Sequence, residues 1–484
     1  MINNSFVEKK ISLLKKAITK SSVKQDLESR LVIVERLAYL EYVTNYQFRD
    51  DYLENEVASL NGLFSNSFGV HEEQSLKKPI VFYDGFGLSN RGLAHIYLKA
   101  LVRIREVAYI YHKSNAKSAK ELIDVVKDSG GIIYEIDNSS RVSIVEGTKS
   151  FVAKIKPLCI FFYSTPNDIT GLLSVAFFKD TKKFFINLTD HAFWLGSSLF
   201  DYYIDFRDYG ASINHFYRSI PVEKELLLPY YPDIRNSYRF EGFPFKTFDN
   251  SKIIFSGGDL YKTISPNLYY YKAVKHILQH DESTIFWYAG KGNSKELNRL
   301  KRLYPNRVFY TCERKDLFQV MQNCYFYLNT YPLGGGLMMQ YAAIANKIPL
   351  TLCDNNSIDG IFLHQDKLDI VFKDYDLFIR EIDRCLDDPN HLAKKEKNIL
   401  NAVIQEEQFN ECVREIVTDY KTCFETDICK VETSLMKSSF LLRLKKINVE
   451  SILIEKKDFL KCFRYYPFQA LKSLFAVFLK RLFK

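Results

Sequence analysis

The 484-residue sequence lacks any uninterrupted apolar run of 18 residues, the length that a membrane-spanning helix needs. Its N-terminus, MINNSFVEKKISLLKK, has neither the apolar core nor the small-residue cleavage site of a signal peptide. The nine cysteines are scattered, without a CxxC pair or the Cys/His spacing of a zinc site. We therefore expect reduced thiols in a cytoplasmic protein, with neither a disulfide framework nor metal ligands.

Proline and glycine are scarce as well, at 13 and 20 residues, and the chain shows no internal repeat and no low-complexity linker. The contents of 47% hydrophobic and 26% charged residues are those of a globular protein. The net charge of +9 is modest, and the basic residues do not interleave with a recognisable nucleic-acid module. The length suits two domains with appendages, and nucleic-acid binding is not expected.

Apolar patterning predicts the organisation of the chain. Residues 5–65 have the three- and four-residue spacing of helices, and short apolar runs then alternate with helical stretches. Strands are predicted at 80–83, 107–111, 132–136, 158–163, 184–188 and 202–206, and a second series at 253–256, 284–289, 308–310, 325–328 and 349–352. This rhythm predicts an α/β protein with two parallel sheets. The expected domains are a helical region (1–76), two Rossmann-like domains (77–245 and 246–430) and a C-terminal tail (431–484).

The most informative segment is the turn of three consecutive glycines, Gly334, Gly335 and Gly336. It follows a predicted buried strand and precedes a helix and a strand that Pro349 opens. Bare amides at the start of a helix bind phosphate oxygens, because the N–H groups point outward and the helix dipole favours negative charge. A tight strand-to-helix turn alone would also use glycines.

A second glycine-rich turn, FSGGDLYKTISP over residues 255–266, ends a predicted strand and carries Lys262. Ligands of open α/β sheets bind at the carboxyl ends of strands. A lysine placed there can neutralise a diphosphate leaving group, whose charge grows in the transition state. A solvated surface lysine is the alternative.

Together the two turns resemble the donor-binding half of the family 41 glycosyltransferases, which include the O-GlcNAc transferases and bacterial cytoplasmic N-glycosyltransferases. LYKTISP, with Lys262, resembles the stretch that carries the family's diphosphate-binding lysine, and PLGGG over 332–336 resembles its Pro-Leu-x-x-Gly turn. NRVFYTCER over 306–314, ending in Glu313 and Arg314, resembles the strand and loop whose backbone holds the nucleobase. The resemblance covers roughly residues 250–370. It implies a GT-B fold, with two Rossmann-like domains facing a cleft, and a nucleotide-sugar donor, expected to be UDP-linked, without a metal.

The chain also departs from this family. Leu337, Met338 and Met339 stand where the family carries His-Thr-Thr to the phosphates, and Ala342 replaces the acid that holds the ribose hydroxyls. Gln340 is then the candidate for ribose recognition. The departures indicate either a different donor or an inactive chain that serves as a partner subunit.

In the first predicted α/β domain, Asp190 and His191 follow a strand. An inverting glycosyl transfer needs a base for the acceptor hydroxyl, and either residue type serves within hydrogen-bond reach. Adjacent residues of an extended segment point opposite ways, so only one can face the sugar. The alternatives are a helix-capping Asp with a structural His, or a His191 that binds hydroxyls without transferring a proton.

Two further segments are candidates for substrate contacts. Ser89, Asn90 and Arg91 lie in a glycine-bearing strand-to-helix loop and are candidate acceptor contacts, although a plain tight turn would explain the loop equally well. Arg218, near the expected domain junction, either contacts a donor phosphate or forms a structural ion pair.

The C-terminal tail has one apolar stripe, formed by Leu471, Leu474, Phe475, Phe478 and Leu482. Positive charge flanks it, supplied by Lys472, Lys480, Arg481 and Lys484. Such a helix can lie in an anionic headgroup layer, so we expect a peripheral protein on the inner face of the cell membrane. A helix packed on the protein body is the alternative.

The leading hypothesis is a hexosyl- or N-acetylhexosaminyltransferase of bacterial surface polysaccharide assembly. It would move a sugar, with inversion at the anomeric carbon, from a nucleotide-sugar to a glycan or lipid-linked acceptor. A non-catalytic GT-B subunit or chaperone of an active transferase is the second hypothesis. A protein O- or N-glycosyltransferase is the third, although no peptide-reading repeat is present.

Overall fold

A computed structural model describes residues 4–65, 78–88, 93–137, 140–176, 178–234, 238–354, 360–433 and 449–482. The chain divides into two compact units, the first formed by Met1–Leu228 with Asn410–Lys484 and the second by Pro229–Phe409. Each unit contains one parallel sheet covered by helices. The predicted α/β fold class with two Rossmann-like units is thereby confirmed.

The first unit opens with three helices, α1 (Asn4–Val23), α2 (Leu27–Thr44) and α3 (Asp51–Ser65). Asp26 begins α2, because its side chain accepts a hydrogen bond from the amide of Ser29. Most residues of α2 are buried, including Leu31, Val34 and Leu37. The helix also buries Arg30, Arg36 and Glu41, and it packs between α1 and the helices of the sheet.

The sheet of the first unit has seven parallel strands among the described residues, in the order β3-β2-β1-β4-β5-β6-β7. The strands are β1 (Ile80–Asp84), β2 (Val107–His112), β3 (Ile132–Ile136), β4 (Cys159–Tyr163), β5 (Lys182–Ile186), β6 (Tyr202–Asp205) and β7 (Glu225–Leu227). The connecting helices are α4 (Ala94–Val102), α5 (Lys120–Asp128), α6 (Arg141–Ile155), α7 (Ile169–Ala176) and α8 (Asp208–Arg218). The central strands β1 and β4 are buried throughout, as expected of parallel strands covered on both faces.

The described part of the second unit contains a six-stranded parallel sheet in the order β10-β9-β8-β11-β12-β13. Its strands are β8 (Lys252–Asp259), β9 (Thr284–Lys291), β10 (Val308–Thr311), β11 (Phe326–Leu328), β12 (Pro349–Leu352) and β13 (Val371–Phe372). The helices are α9 (Tyr269–His280), α10 (Lys295–Leu303), α11 (Leu317–Gln322), α12 (Gly336–Ile344), α13 (Tyr375–Asp387) and α14 (Pro389–Ile399). The following helix, α15 (Glu406–Asp419), leads back to the first unit.

Both sheets share one topological feature. Counted within each unit, the first six strands have the spatial order 3-2-1-4-5-6 of the Rossmann fold. The chain direction across the sheet reverses between β1 and β4 in the first unit and between β8 and β11 in the second. Ligands of such sheets bind in the crevice at the carboxyl ends of the two strands where the order reverses. Each unit therefore has one topologically defined place for a ligand.

The C-terminal segment ends in α16 (Phe459–Phe463) and α17 (Pro467–Leu482). It packs on the first unit, where Asp458 forms a two-pronged ion pair with Arg141, with N–O distances of 3.0 and 2.8 Å. Arg464 and Tyr465 both hydrogen-bond to Asp26 at the start of α2. None of the described helices is long and apolar enough to cross a membrane.

The observed elements differ in places from those expected. Helices α6, α7 and α8 and the short strands β7 and β13 were not predicted, and β5 begins and ends two residues earlier than the expected 184–188. The units divide after Leu228 and after Phe409, whereas the expected domain boundaries followed residues 245 and 430. The helical region and the tail belong to the first unit by their contacts, because apolar residues of both join its core.

Candidate functional site

The crevice at the end of β8 in the second unit is built by glycines. Gly258 has φ of +119°, and a Cβ added to Gly290 of β9 would lie 1.8 Å from the carbonyl oxygen of Gly258. Only glycine allows these two strands to approach so closely at their carboxyl ends. The chain after β8 then forms a short 3-10 turn over Leu260–Thr263, which carries Lys262.

The two predicted donor-binding turns meet at this crevice. The backbone amide of Leu333, in the turn after β11, donates to the carbonyl oxygen of Lys262 at 3.3 Å. Lys262 and Gly334–Gly336 are all partly exposed. Segments that are about 70 residues apart in sequence are thus adjacent at the place where the strand order reverses.

Asn329 shapes the glycine turn. Its side-chain oxygen accepts hydrogen bonds from the amides of Thr330 and Gly335, each at 3.0 Å. The amide of Gly335 is therefore already used, which corrects the expectation that all three glycine amides face a phosphate. Gly336 begins α12, and the amides of a first helical turn have no acceptor four residues back. The first turn of α12, starting at Gly336, is therefore the candidate for binding an anion.

The positions that depart from family 41 are occupied by packing residues. Met338 lies beside Gly257, where an added Cβ would be 3.0 Å from its terminal methyl, and Met339 and Ala342 are fully buried. Gln340 is 2% exposed, and its amide donates to the carbonyls of Tyr230 and Ile361. The prediction that Gln340 binds the ribose is therefore wrong, because its side chain is enclosed and its donors are used.

Glu313 and Arg314 follow β10. Glu313 forms an ion pair with Lys291 at 3.0 Å, and Arg314 makes a two-pronged pair with the buried Asp316 at 2.7 and 2.6 Å. The guanidinium of Arg314 also lies 5.3 Å from the ring centre of Trp287. Both side chains have protein partners, so the backbone of this loop remains the candidate for contact with a nucleobase.

In the first unit, Asp190 and His191 follow β5 and form a dyad. Nδ1 of His191 lies 3.1 Å from one carboxylate oxygen of Asp190, and Arg207 donates to the other at 2.6 Å. Burial alone would raise the pKa of Asp190, but the charge of Arg207 and hydrogen bonds from His191 and Arg207 lower it to about 2. Asp190 is completely buried, whereas the His191 side chain is 43% exposed. Of these two adjacent residues, His191 is therefore the exposed member.

The loop that carries the dyad is held from several sides. Asn45, at the end of α2, donates to the carbonyl of His191 and accepts from the amide of Phe193. The carboxylate of Glu54, in α3, accepts hydrogen bonds from three backbone amides of the same loop. The N-terminal helices therefore fix the position of His191, a role that their sequence did not indicate.

Arg218 belongs to this support and not to a donor site. It is completely buried, and one of its nitrogens donates to the carbonyls of Asp190 and Ala192 at 3.0 and 2.6 Å. Its guanidinium also lies 4.8 Å from the ring centre of Trp194, and burial lowers its pKa to about 10. The prediction of a phosphate contact is wrong, because no part of Arg218 reaches solvent.

A buried carboxyl pair lies under the dyad. Asp205, at the end of β6, and Glu225, at the start of β7, are 0% and 8% exposed, and Asn214 donates to both. Burial raises the pKa of both carboxyl groups, and the proximity of the two acids raises that of Glu225 further. The raised pKa favours the protonated form of Glu225, which reduces the cost of burying two acids side by side.

The predicted acceptor contacts Ser89, Asn90 and Arg91 lie outside the described residues. The start of their loop is fixed by Asp84, whose carboxylate accepts from the amides of Phe86 and Gly87 and from the hydroxyl of Tyr109. Burial raises the pKa of Asp84 to about 6. This carboxyl shapes the turn after β1 and does not face a ligand.

The described residues contain two groups with the chemistry of metal ligands, both away from the crevices. His276 and His280 of α9 face Asp383 of α13, and Glu381, Cys385 and His391 form the second group. The members are already paired with one another; for example, Nε2 of His276 lies 2.6 Å from a carboxylate oxygen of Asp383. They join helices α9, α13 and α14 and are separate from the candidate donor site.

The structure adds site residues that the sequence did not reveal, namely Asn45, Glu54, Arg207 and Asn329. Their only sequence signal is local: Asn329 directly follows a predicted strand, where polar side chains shape ligand-binding turns. Asn45 and Glu54 act on a loop far away in the chain, and Arg207 acts on Asp190 17 residues earlier; no spacing rule connects any of them to the loop.

No protein-family model matches the chain, and no curated protein matches it. Solved structures that are similar include a mutant O-GlcNAc transferase of Thermobaculum terrenum, with 10% identity over 91% of this chain and 81% of that one, at a TM-score of 0.47. A glycosyltransferase of Rickettsia africae has 12% identity over 79% and 100%, at 0.46. UDP-GlcNAc 2-epimerase of Neisseria meningitidis, bound to UDP-GlcNAc, has 13% identity over 67% and 96%, at 0.44. At these identities and scores, the likenesses establish neither an activity nor a substrate for this chain.

Proposed function

We propose that the chain is a GT-B glycosyltransferase whose second unit binds a nucleotide-sugar. The observation that carries the proposal is the meeting of the Lys262 turn with the glycine turn at the place where the strand order of the second sheet reverses. The hydrogen bond from the amide of Leu333 to the carbonyl of Lys262 joins the two turns. A cationic side chain and the start of a helix then share one crevice, which suits a diphosphate.

The charges of the two turns determine the role of each in binding the diphosphate. The first-turn amides of α12, from Gly336 onward, bind phosphate oxygens, and the ammonium of Lys262 neutralises the charge that develops on the leaving diphosphate. This arrangement needs no divalent cation. UDP is the first nucleotide to test, because the family that the two turns resemble uses it.

His191 is the general base of the proposed reaction. Asp190 accepts the Nδ1 proton and thereby selects the tautomer whose lone pair is on Nε2, the nitrogen that takes a proton from an acceptor hydroxyl. Asp190 stays ionised because of Arg207, so it stabilises the imidazolium that forms. Asp190 is a positioning residue.

The acceptor class is a glycan or a lipid-linked glycan at a membrane surface. Helix α17 packs by one face and exposes the other, where Phe468, Leu471, Phe475 and Phe478 are 88%, 51%, 62% and 54% exposed. These side chains share one side of the helix, since their spacing follows its turns. Lys472 on the same helix is exposed, and Lys480, Arg481 and Lys484 follow in sequence. An exposed aromatic stripe beside positive charge suits an anionic lipid surface.

A thermal-shift panel of UDP, GDP, ADP, dTDP and CMP tests the donor site. One nucleotide should raise the melting temperature, since a ligand at 100 times its Kd adds about 2.7 kcal/mol of stability. Lys262→Ala should abolish that shift and lower the transfer rate on the order of 10²–10³-fold. Lys275→Ala, an exposed lysine of α9, is the matched control. Wild-type turnover in Lys262→Ala would remove Lys262 from the site.

The same panel tests the second hypothesis, a non-catalytic GT-B subunit or chaperone. The packing of Met338 against Gly257 and the burial of Ala342 favour it, because neither offers a group to phosphate or ribose. A chain that no nucleotide stabilises, at millimolar concentration, would support the subunit hypothesis over the transferase. Co-purification with an active transferase would then be its positive test.

A further inference from the structure

A cavity of about 420 Å³ lies at the carboxyl edge of the first sheet, and the candidate dyad does not use it. Its lining includes Gly85 after β1 and Thr165, Asn167 and Thr170 after β4, with Lys457 and Lys461 from the C-terminal segment. We call it the edge cavity. It lies where the strand order of the first sheet reverses, and its volume falls within the roughly 300–1,000 Å³ of small-molecule sites.

The C-terminal segment is fixed at the edge cavity by buried charge. Arg141 makes its two-pronged pair with Asp458, which is 1% exposed, and a further ion pair with Glu35 at 2.6 Å. Lys461 forms an ion pair with Glu28 at 2.7 Å. The carboxylate of Glu28 also accepts hydrogen bonds from the first backbone amides of α6. A buried pair of this kind holds its two segments firmly together, because separating them leaves an uncompensated charge in the interior.

Charge decides which class of ligand the edge cavity suits. Each cation that lines it already has an acidic partner: Arg141 with Glu35 and Asp458, Lys461 with Glu28, and Lys457 with Glu455. The start of α6 is likewise occupied by the carboxylate of Glu28. A phosphate would therefore find neither an uncompensated cation nor open helix amides.

The other polar lining groups are the imidazole of His112, whose Nε2 lies 3.3 Å from the hydroxyl of Tyr83, and the hydroxyls and the amide of Ser114, Ser140, Thr165, Asn167 and Thr170. Groups of this kind both donate and accept hydrogen bonds, as sugar hydroxyls do. Asp168 completes the wall, and its carboxylate accepts from the hydroxyls of Tyr83, Ser164 and Thr170 and from the amide of Gly171 at 2.5–2.9 Å. Its acceptor sites are thereby occupied, so Asp168 makes the wall rigid and leaves the neighbouring hydroxyls and the amide of Asn167 to contact a sugar.

We propose that the edge cavity binds a neutral sugar ring and that the C-terminal segment forms one of its walls. Assigning this sugar to the acceptor rests on the proposed function, whereas binding of the sugar does not. The tail then has two roles in one segment: residues 457–461 form a binding wall, and α17 presents its aromatic stripe ten residues later. Recognition of the glycan is thereby linked to docking of the tail on the first unit.

Saturation-transfer NMR on the full chain tests the proposal with the methyl glycosides of glucose, galactose, N-acetylglucosamine and N-acetylgalactosamine. At least one should receive saturation from the wild-type protein, and inorganic phosphate should not displace it. Thr165→Val and Lys457→Met should each weaken its binding roughly fivefold or more, the effect of one lost hydrogen bond. Thr418→Val and Lys154→Met, exposed in the same unit, are the matched controls.

Asp458→Asn tests the wall, because it removes one charge of the buried pair while keeping the size of the side chain. It should weaken glycoside binding and make the C-terminal segment more sensitive to trypsin. Saturation of none of the glycosides would overturn the ligand class, as would displacement by phosphate. Wild-type binding by both Lys457→Met and Asp458→Asn would overturn the role of the tail. A nucleotide shift that fails while a glycoside binds would count against the proposed donor site alone.

Discussion

At the residue scale, burial separates side chains that act from side chains that support. His191 is half-exposed, whereas its partners Asp190 and Arg207 are buried and hold it in one orientation. Arg218 and Gln340, both polar residues of types common in binding sites, are enclosed and bind backbone carbonyls. Residue type alone would suggest a functional role at all of these positions. Solvent access distinguishes the side chains that can contact a substrate from those that cannot.

Removal of His191 should lower transfer without unfolding the chain. We expect His191→Ala to reduce the transfer rate by about 10²–10⁴-fold, the contribution of a positioned general base. His215→Ala, another histidine of the first unit, is the control and should keep its activity. The measurement is a single-turnover rate with the nucleotide-sugar that the thermal-shift panel identifies. Full activity in His191→Ala would place the base elsewhere.

The carboxyl pair predicts how stability depends on pH. The pKa values of Asp205 and Glu225 are raised in the folded chain, so the folded state binds more protons than the unfolded state above roughly pH 4, the ordinary carboxyl range. The pair's contribution to the free energy of unfolding is therefore present at low pH and declines as pH rises. Glu225→Gln removes one titrating group and keeps a donor for Asp205. The variant should gain stability relative to wild type between pH 5 and pH 9.

The chain's two tryptophans make this measurable, because Trp194 lies in the first unit and Trp287 in the second. Urea unfolding in a Trp287→Phe background reports the first unit alone. The free energy of unfolding is compared between Glu225→Gln and the chain that keeps both carboxyl groups. If the two change in parallel across this pH range, the shared-proton arrangement is contradicted.

At the element scale, the candidate donor site depends on how closely strand ends approach. Strands β8 and β9 meet at Gly258 and Gly290, and the turn after β11 is fixed by the side chain of Asn329. These elements place main-chain amides at the crevice. Side chains at the glycine positions would fill the space that a ligand needs.

Gly290→Ala should destabilise the second unit. The added Cβ would meet a backbone oxygen, which cannot move aside as a flexible side chain can, so we expect a loss of about 3 kcal/mol. Gly62→Ala, in the exposed interior of α3 with nothing near the new methyl group, should instead stabilise the first unit by about 0.5–1 kcal/mol. Tryptophan fluorescence in Trp194→Phe and Trp287→Phe backgrounds follows each unit. A Gly290→Ala variant as stable as its parent would show that the strands can separate without cost.

At the scale of the whole molecule, the two ends of the chain act on the first sheet. The N-terminal helices hold the His191 loop through Asn45 and Glu54, and the C-terminal segment lines the edge cavity. Both ends contribute apolar residues to one core. The second unit is one continuous segment, Pro229–Phe409, between two parts of the first.

The aromatic stripe of α17 should bind anionic vesicles. Co-sedimentation with phosphatidylglycerol vesicles at low salt should exceed that with phosphatidylcholine, since each Lys or Arg near an anionic surface adds about 1 kcal/mol. The double change Phe475→Gln and Phe478→Gln should weaken binding about tenfold or more, because both side chains are exposed and would insert. Phe216→Gln, an exposed phenylalanine of α8, is the control. Equal sedimentation of the double variant and the wild type would make α17 a packing helix.

The sequence by itself determined the fold class and the main candidates for the donor site. Apolar runs and helical spacing are local properties, and they predicted β1, β3 and β12 within one residue of their observed ends. The two glycine turns could be predicted for the same reason, because a glycine-rich turn between a strand and a helix consists of consecutive residues. Unpredicted α6 has a weaker pattern: it carries arginine, lysine and serine among its apolar residues.

Only the tertiary structure decided which segments meet. The adjacency of Lys262 to the glycine turn, the burial of Arg218 and Gln340, and the docking of Asp458 on Arg141 each join residues far apart in sequence. Burial and pairing depend on the order in which strands assemble into a sheet, and no local spacing encodes that order. Polar residues near strand ends therefore cannot be distinguished by sequence. The packing around each one decides whether it contacts a ligand or supports another residue.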